Sequence, residues 1–315
     1  MKRLGVTVPL PGFDVKAACD LAQRAEDIGY TDAWSSEVSG PDAFSVASAV
    51  GVSTTSMRIG CAIAPSFTRS PALIAMSALA ASQASRGRFC LGLGASTPTI
   101  VENWMGVPFE KPVTRTRETV EIVKRALAGD KVDFEGETAR VKGFRLEGAP
   151  AEVPIFLAAL GPKMMALANE RADGIALYAV TEEGVRIARA AAPDLELVAR
   201  LICIPDQPEE EVKAFARFLL TPYIAADGYN PWIARQGFED EARAVKTAWD
   251  ARERSAAVEA VSDRLVDALV ISGPAAACKE RLESLRDAGL DTPVLLLIAQ
   301  QGPAAALQMV EAMAP

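Results

Sequence analysis

The 315-residue chain is expected to fold as a (β/α)8 barrel, a TIM barrel carrying insertions. Three observations predict this. Short apolar runs alternate with helix-length amphipathic stretches from one end to the other, as in a parallel sheet wrapped by helices. The runs number eight: Arg3–Val8, Asp32–Ser36, Ile59–Ala64, Phe89–Gly94, Pro154–Ala158, Gly174–Tyr178, Leu197–Ile204 and Pro293–Ile298. No repeat or low-complexity linker divides them, so residues 1–315 read as a single domain. A doubly wound open sheet is the competing architecture.

The elements follow in order. "RLGVTVPL" is the first strand, and "DVKAACDLAQRAEDIGY" the first helix, with Asp14 placed to cap it and Gly29 to end it. "TDAWSSE" and "DAFSVASAVGVST" form the second unit, and "MRIGCAIAP" is the third strand. Its helix opens with Pro71, whose missing N–H is no loss in a first turn. "RFCLGLG" is the fourth strand, with no helix until about residue 113, where "TRTRETVEIVKRALAG" begins. "DKVDFEGETARVKGFRLEG" has the alternation and glycine turn of a hairpin, inserted ahead of the strand "VPIFLAA". "PKMMALANERA", "DGIALYA", "TEEGVRIARAAA" and "LELVARLICIP" continue the alternation. A long helical insertion runs from about Glu209 to about Leu269, interrupted near Pro222 to Pro231. Its "DQPEEE" start sets acids at the positive end of a helix. "PAAACKERLESLRDAGL", the strand "TPVLLLIA" and the helix "PAAALQMVEAM" close the chain.

Composition excludes several classes of function. Half of the residues are hydrophobic, yet no tract of ~18 apolar residues exists to cross a membrane. "MKRLGVTVPL" lacks the apolar core and cleavage site of an export signal, so the protein is expected to be cytoplasmic. A net charge of −8 argues against a nucleic-acid surface. The five cysteines are odd in number and widely spaced, as reduced core residues would be. The chain has no histidine. That removes Ser-His-Asp and Cys-His machinery and most transition-metal sites, so no metal is expected. Any acid or base must be Asp, Glu, Tyr, Lys or water.

"GRFCLGLGAST" sets a glycine turn at the end of a strand, as a dinucleotide site would. The third glycine of that fingerprint is missing, Pro98 interrupts, and no helix follows at once. In a barrel, the same turn lies at the C-terminal rim, where active sites are built. "LAALGPKMMALA" is a second rim element. A strand ends, Gly161-Pro162 turns, and the helix that follows directs free N–H groups and its positive end at an anion, with Lys163 adding charge. The alternative is a turn that only starts a helix.

These segments, with "MRIGCAIAPSFTRSPALIAMSALAASQAS", "LAQRAEDIGYTDAWSSE" and "ISGPAAACKERLESLRDAGLDTPVLLL", resemble the bacterial luciferase-like superfamily of barrel oxidoreductases. The likeness is strongest to its deazaflavin (coenzyme F420)-dependent branch and spans almost the whole chain. The resemblance implies a non-prolyl cis peptide at Ala62-Ile63, backing a tricyclic ring, and a phosphate held by Ala159, Leu160, Gly161, Pro162 and Lys163. Gly94, Ala95 and Ser96 would converge from the neighbouring rim, and Ser36 and Glu37 from strand two. Glu37 would touch cofactor or handle a proton. Tyr178, on a rim strand, is either a proton donor or a core residue, and Trp104 either walls the pocket or packs its loop. The chain departs from the family at Val38 and at Arg69-Ser70-Pro71, where some members carry histidine. Sugar-phosphate or alcohol dehydrogenation that needs an imidazole base is therefore disfavoured.

The resulting expectation is an F420-dependent oxidoreductase that passes a hydride between ring carbon C5 and a small organic substrate, with a homodimer as its assembly. The competing readings are an FMN-dependent monooxygenase on the same scaffold and a non-catalytic flavin-binding protein.

Overall fold

In the computed structural model, which describes residues 2–299 and 301–315, all eight expected strands form and close into a barrel. The strands are β1 (Gly5–Thr7), β2 (Asp32–Ser35), β3 (Arg58–Pro65), β4 (Phe89–Gly94), β5 (Lys131–Glu135), β6 (Arg140–Arg145), β7 (Ile155–Ala158), β8 (Gly174–Tyr178), β9 (Glu196–Pro205), β10 (Val270–Gly273) and β11 (Thr292–Leu297). The barrel runs β1-β2-β3-β4-β7-β8-β9-β11 and returns to β1, every pair parallel. β5 and β6 are the expected antiparallel hairpin. β10 was not foreseen: it pairs with the upper half of β9, Val270 beside Ile202, on the edge that β8 leaves at Arg200.

The intervening helices begin where side chains meet free N–H groups. Asp14 accepts from Ala17 N–H at 2.8 Å, and Asp42, Ser70, Thr181 and Ser262 cap four other helices in the same way. Two expectations are corrected. A π-helical turn, Thr99–Trp104, already forms in the loop after β4, and Pro98 is its cap rather than a break. Pro222 lies inside the helix Glu209–Ala225, and the chain breaks only after Ala225. Proline there loses the bond to the carbonyl of Phe218, a residue 71% exposed, where water can take its place. Among the described residues no helix is long and apolar enough to cross a membrane. All five cysteines are free, four of them buried.

The barrel interior is filled in layers. Trp34 and Phe156 meet edge to face at 5.5 Å, with Cys90, Val198 and Val294 around them. β3 makes room with Gly60, where a Cβ would lie 2.1 Å from the Trp34 ring. Below them, at the N-terminal end of the strands, Arg58 ties Asp32 and Glu196 together.

Outside the barrel, Glu26 fastens the first helix to the start of β3. Its carboxylate accepts from the backbone of Thr55, Ser56 and Met57 at 2.9, 2.6 and 2.8 Å. Partial burial pushes this carboxyl up, but the bonds outweigh it and hold it at about 2, from an ordinary 4.5. A depressed carboxyl stabilises the fold above its unfolded value, and the benefit fades as pH falls through the folded one. Glu26→Gln is thus expected to cost ~1–2 kcal/mol at neutral pH, a gap that narrows below about pH 4.5 and closes only near pH 2. Urea unfolding at neutral and acid pH reads it, and a gap independent of pH would refute the assignment.

Candidate active site

The C-terminal ends of the barrel strands open into a cavity of about 480 Å3, within the range of small-molecule sites. Its floor is built by β3. Pairing with β4 slips between Cys61 and Ala64, so Ala62 and Ile63 bulge into the cavity; the peptide between them is cis. β4 yields the space: a Cβ at Gly92 would sit 2.0 Å from the Cys61 carbonyl oxygen. One at Gly94 would lie 2.9 Å from Ala158 Cβ and 3.2 Å from the Ile63 side chain. The glycines of "LGLG" serve close packing against this bulge. Gly94 therefore supports the floor from beneath, while Ala95 and Ser96 line the cavity.

Leu160 and Gly161 line another corner. Gly161 is the N-cap of the helix Pro162–Arg171 and, unlike the caps described above, brings no side chain to its free N–H groups. The space where its Cβ would stand is open to 4 Å. Ala159 is buried behind the turn, and Pro162 and Lys163 are exposed on the outer first turn, outside the cavity lining. Arg235, from the helical insertion, donates to the Leu160 carbonyl and adds a cation beside this corner.

Ser36, Glu37 and Val38 form the β2 side of the cavity. Glu37 is held at two points by Arg69, through Nη2 at 3.0 Å and Nε at 3.3 Å, and accepts from Ala43 N–H at 3.2 Å. Arg69 also reaches Asp42 at 3.3 Å and lies over the Phe44 ring. Opposite stands an aromatic wall. Tyr178 meets Tyr223 and Tyr229 edge to face at 5.2 and 6.1 Å. Burial drives the Tyr178 and Tyr229 hydroxyls well above the usual phenol range. Arg200 lies against the Tyr178 ring, 5.7 Å from its centroid.

The sequence-predicted residues Ser36, Glu37, Ala62, Ile63, Ala95, Ser96, Leu160, Gly161 and Tyr178 are thus brought to one cavity. Trp104 is not: it is 53% exposed at the end of the π-helical turn. Phe109, stacked on Phe67 at 4.9 Å, walls that side instead. Sequence reasoning missed Tyr223, Tyr229, Arg235 and Arg200. For Arg200 a signal existed, since it is the one cation in the apolar strand "LELVARLICIP". A wider depression of about 740 Å3 lies at the opposite end of the barrel, beside Arg3, Arg189 and Arg286. These guanidinium groups are already bonded to Asp32, Asp291 and the Arg3 carbonyl, at the face that serves stability in such barrels.

Comparison with known proteins agrees with this geometry. Residues 2–292 match the family profile of the luciferase-like monooxygenases. A 5,10-methylenetetrahydromethanopterin reductase of Methanolobus tindarius is 28% identical over 295 residues, 89% of this chain and 90% of its own length. An F420-dependent glucose-6-phosphate dehydrogenase of Mycobacterium avium is 31% identical over 188 residues, covering 55% of this chain and 56% of that one. The structure of the coenzyme F420 dependent tetrahydromethanopterin reductase from Methanopyrus kandleri aligns over 99% of this chain and 97% of its own, with a TM-score of 0.82 at 21% identity. A closed eight-stranded barrel with its cavity at the C-terminal rim, matched along nearly its whole length by one profile, identifies the chain as a member of the luciferase-like monooxygenase family.

Proposed function

We propose that the protein is a coenzyme F420-dependent oxidoreductase that moves a hydride between the deazaflavin ring and a small organic substrate. One observation carries this reading: a single cavity joins an apolar, bulged floor to an uncapped helix N-terminus. That pairing suits a ligand with a flat ring at one end and a phosphate at the other. The names of the relatives, F420-dependent reductases and dehydrogenases, point the same way.

The residues present fit such a ligand. Ala62 and Ile63 offer an apolar platform, Gly161 leaves the approach to the helix open, and Leu160, Ala95 and Ser96 close around it. Gly94 and Ala159 hold these walls from behind, while Pro162 and Lys163 carry the turn and its charge. When bound, the deazaflavin supplies a ring carbon that takes or gives a hydride. The protein's part is orientation, exclusion of water and proton control. Glu37, fixed by Arg69 and the Ala43 N–H, keeps a carboxylate of constant direction at the β2 wall beside Ser36. Tyr178 retains its proton because burial opposes its loss, so it serves as a hydrogen-bond donor to a substrate oxygen. A homodimer belongs to the same reading.

Titration of the purified protein with F420 and, separately, with FMN tests the proposal. Binding of F420 at one equivalent per chain is expected, with FMN at least ~10-fold weaker. Tight FMN binding without F420 binding would overturn it in favour of a flavin monooxygenase. Retention of F420 with no turnover across a panel of enones, carbonyls and alcohols would favour a carrier.

A further inference from the structure

Arg200 differs from every other arginine beside the cavity. Arg69 is bonded to Glu37 and Asp42, Arg115 to the Ser66 and Thr138 carbonyls, and Arg235 to the Leu160 carbonyl. Arg200 makes no hydrogen bond or ion pair among the described residues, and its Nε is buried without a partner. Of the described residues lining the cavity it is the only cation. The carboxylates on the same lining are engaged elsewhere, Glu37 with Arg69 and Asp227 with Lys246 at 3.0 Å. A charged N–H buried without an acceptor, as Nε of this half-buried side chain is, is among the costlier features a protein interior can keep. Its retention at the mouth of a barrel points to an acceptor that arrives with a ligand.

Its position narrows the choice. Arg200 sits on β9 in register with Tyr178 on one side and Val294 on the other, inside the barrel wall. It lines both the cavity and the small internal space beneath it, and Ala62, half of the bulged floor, lines both as well. Arg200 therefore shares one cavity with the platform on which a flat ring would rest, its guanidinium set against the Tyr178 ring. A hydride brings two electrons and one proton, so a ring that accepts one gains one unit of negative charge until a further proton follows. That charge spreads to the conjugated carbonyl oxygens of the ring. The chain has no histidine to deliver the proton, and Tyr178 holds its own. A fixed cation stabilises the charged ring, and a planar guanidinium is suited to conjugated oxygens.

We infer that Arg200 is the anion receptor of this cavity and that it favours the reduced, negatively charged form of the bound ring over the oxidised form. The inference rests on the deazaflavin reading above and adds the residue that biases the cofactor between its two redox states.

The test is binding, independent of turnover. Oxidised and chemically reduced F420 are titrated anaerobically into the native protein, Arg200→Met and Arg200→Lys, with equilibrium dialysis as the readout. Arg200→Met is expected to weaken the reduced form ~10–100-fold and the oxidised form by less than ~3-fold. That difference lowers the potential of the bound cofactor by ~15–60 mV, at about 30 mV per tenfold for a two-electron couple. Arg200→Lys recovers part of the preference. Thermal melts of Arg200→Met should match or exceed those of the native protein, because an unpaired charge has been removed. Equal losses for both forms, or a lowered melting temperature accompanying them, would assign Arg200 a packing role and overturn the inference. Unchanged affinities in the variant would overturn it too, leaving the deazaflavin reading intact. A native protein that binds neither form would remove both.

Discussion

Arg58→Met is expected to lower stability by roughly 3–5 kcal/mol and the melting temperature by about 5–8 °C, while the folded variant keeps its cofactor affinity. Arg58 is the hub of the polar layer at the closed end of the barrel. Its Nη1 and Nη2 fork onto Glu196 at 2.8 and 2.7 Å, its Nε donates to Asp32, and its plane lies against Trp34 and Phe156, 5.4 and 5.7 Å from their centroids. Asp32 is fully buried, with Arg3 at 3.0 Å and the Thr31 hydroxyl at 2.6 Å as its other main partners. Burial pushes the Glu196 carboxyl up, but Arg58 outweighs it and holds the group below the usual carboxylate range. Without Arg58, two carboxylates remain in one layer and lose the cation they share, the situation in which a broken buried pair is most costly. The sign of the pH dependence follows. Glu196 stabilises the fold above its unfolded value and ceases to do so in acid, so the gap between native and variant narrows as pH falls. Arg58→Lys should recover little, since an ammonium can neither fork onto Glu196 nor lie flat between two rings. Urea unfolding of both variants reads this. A loss under ~1 kcal/mol for Arg58→Met would mean that Arg3 and the hydroxyls suffice.

The barrel was legible because its strands are buried on both faces and appear as unbroken apolar runs, "RIGCAIAP" and "TPVLLL" among them. The cap Asp14 was legible for a local reason, since it bonds within three residues of itself. β10 was not, because "VISG" follows a helix with no turn residue between them, and only the free upper edge of β9 makes it a strand. The site divides along the same line. Its backbone parts announce themselves through the residue types that such geometry demands, the glycines of β4 and the Gly-Pro of the uncapped helix. Its side-chain parts arrive from afar. Tyr223, Tyr229 and Arg235 lie on an insertion whose own pattern only says helix; the two tyrosines line the cavity and Arg235 reaches the Leu160 carbonyl beside it because that insertion folds back over the mouth. Glu37 was visible as a rim acid, but its lock, Arg69, was read only as a departure from a histidine motif.

Gly92→Ala is the substitution that connects packing with function. Its Cβ would lie 2.0 Å from a backbone oxygen, that of Cys61, and 3.2 Å from Ile63 Cγ2. A side chain in the way could rotate, but Cys61 is fully buried and its strand is paired on both sides, so the backbone must move. Overpacking a close-packed interior in this way is expected to cost ~3 kcal/mol or more. The movement also passes directly into Ala62 and Ile63, the next two residues and the floor of the cavity. F420 affinity of the folded variant should therefore fall ~100-fold, the scale at which small displacements in a preorganised site are felt. Two neighbours separate the effects. Gly60→Ala, whose Cβ would strike Trp34 in the layer below, should destabilise comparably and leave affinity nearly intact. Gly94→Ala meets only side-chain atoms, of Ala158 and Ile63, and should be the mildest of the three. Melting curves together with F420 dissociation constants distinguish them. If Gly92→Ala and Gly60→Ala lost affinity equally, the floor would not be the element that grips the ring. The cofactor would then have to be held chiefly at the Gly161 corner, through main-chain N–H groups that neither substitution disturbs.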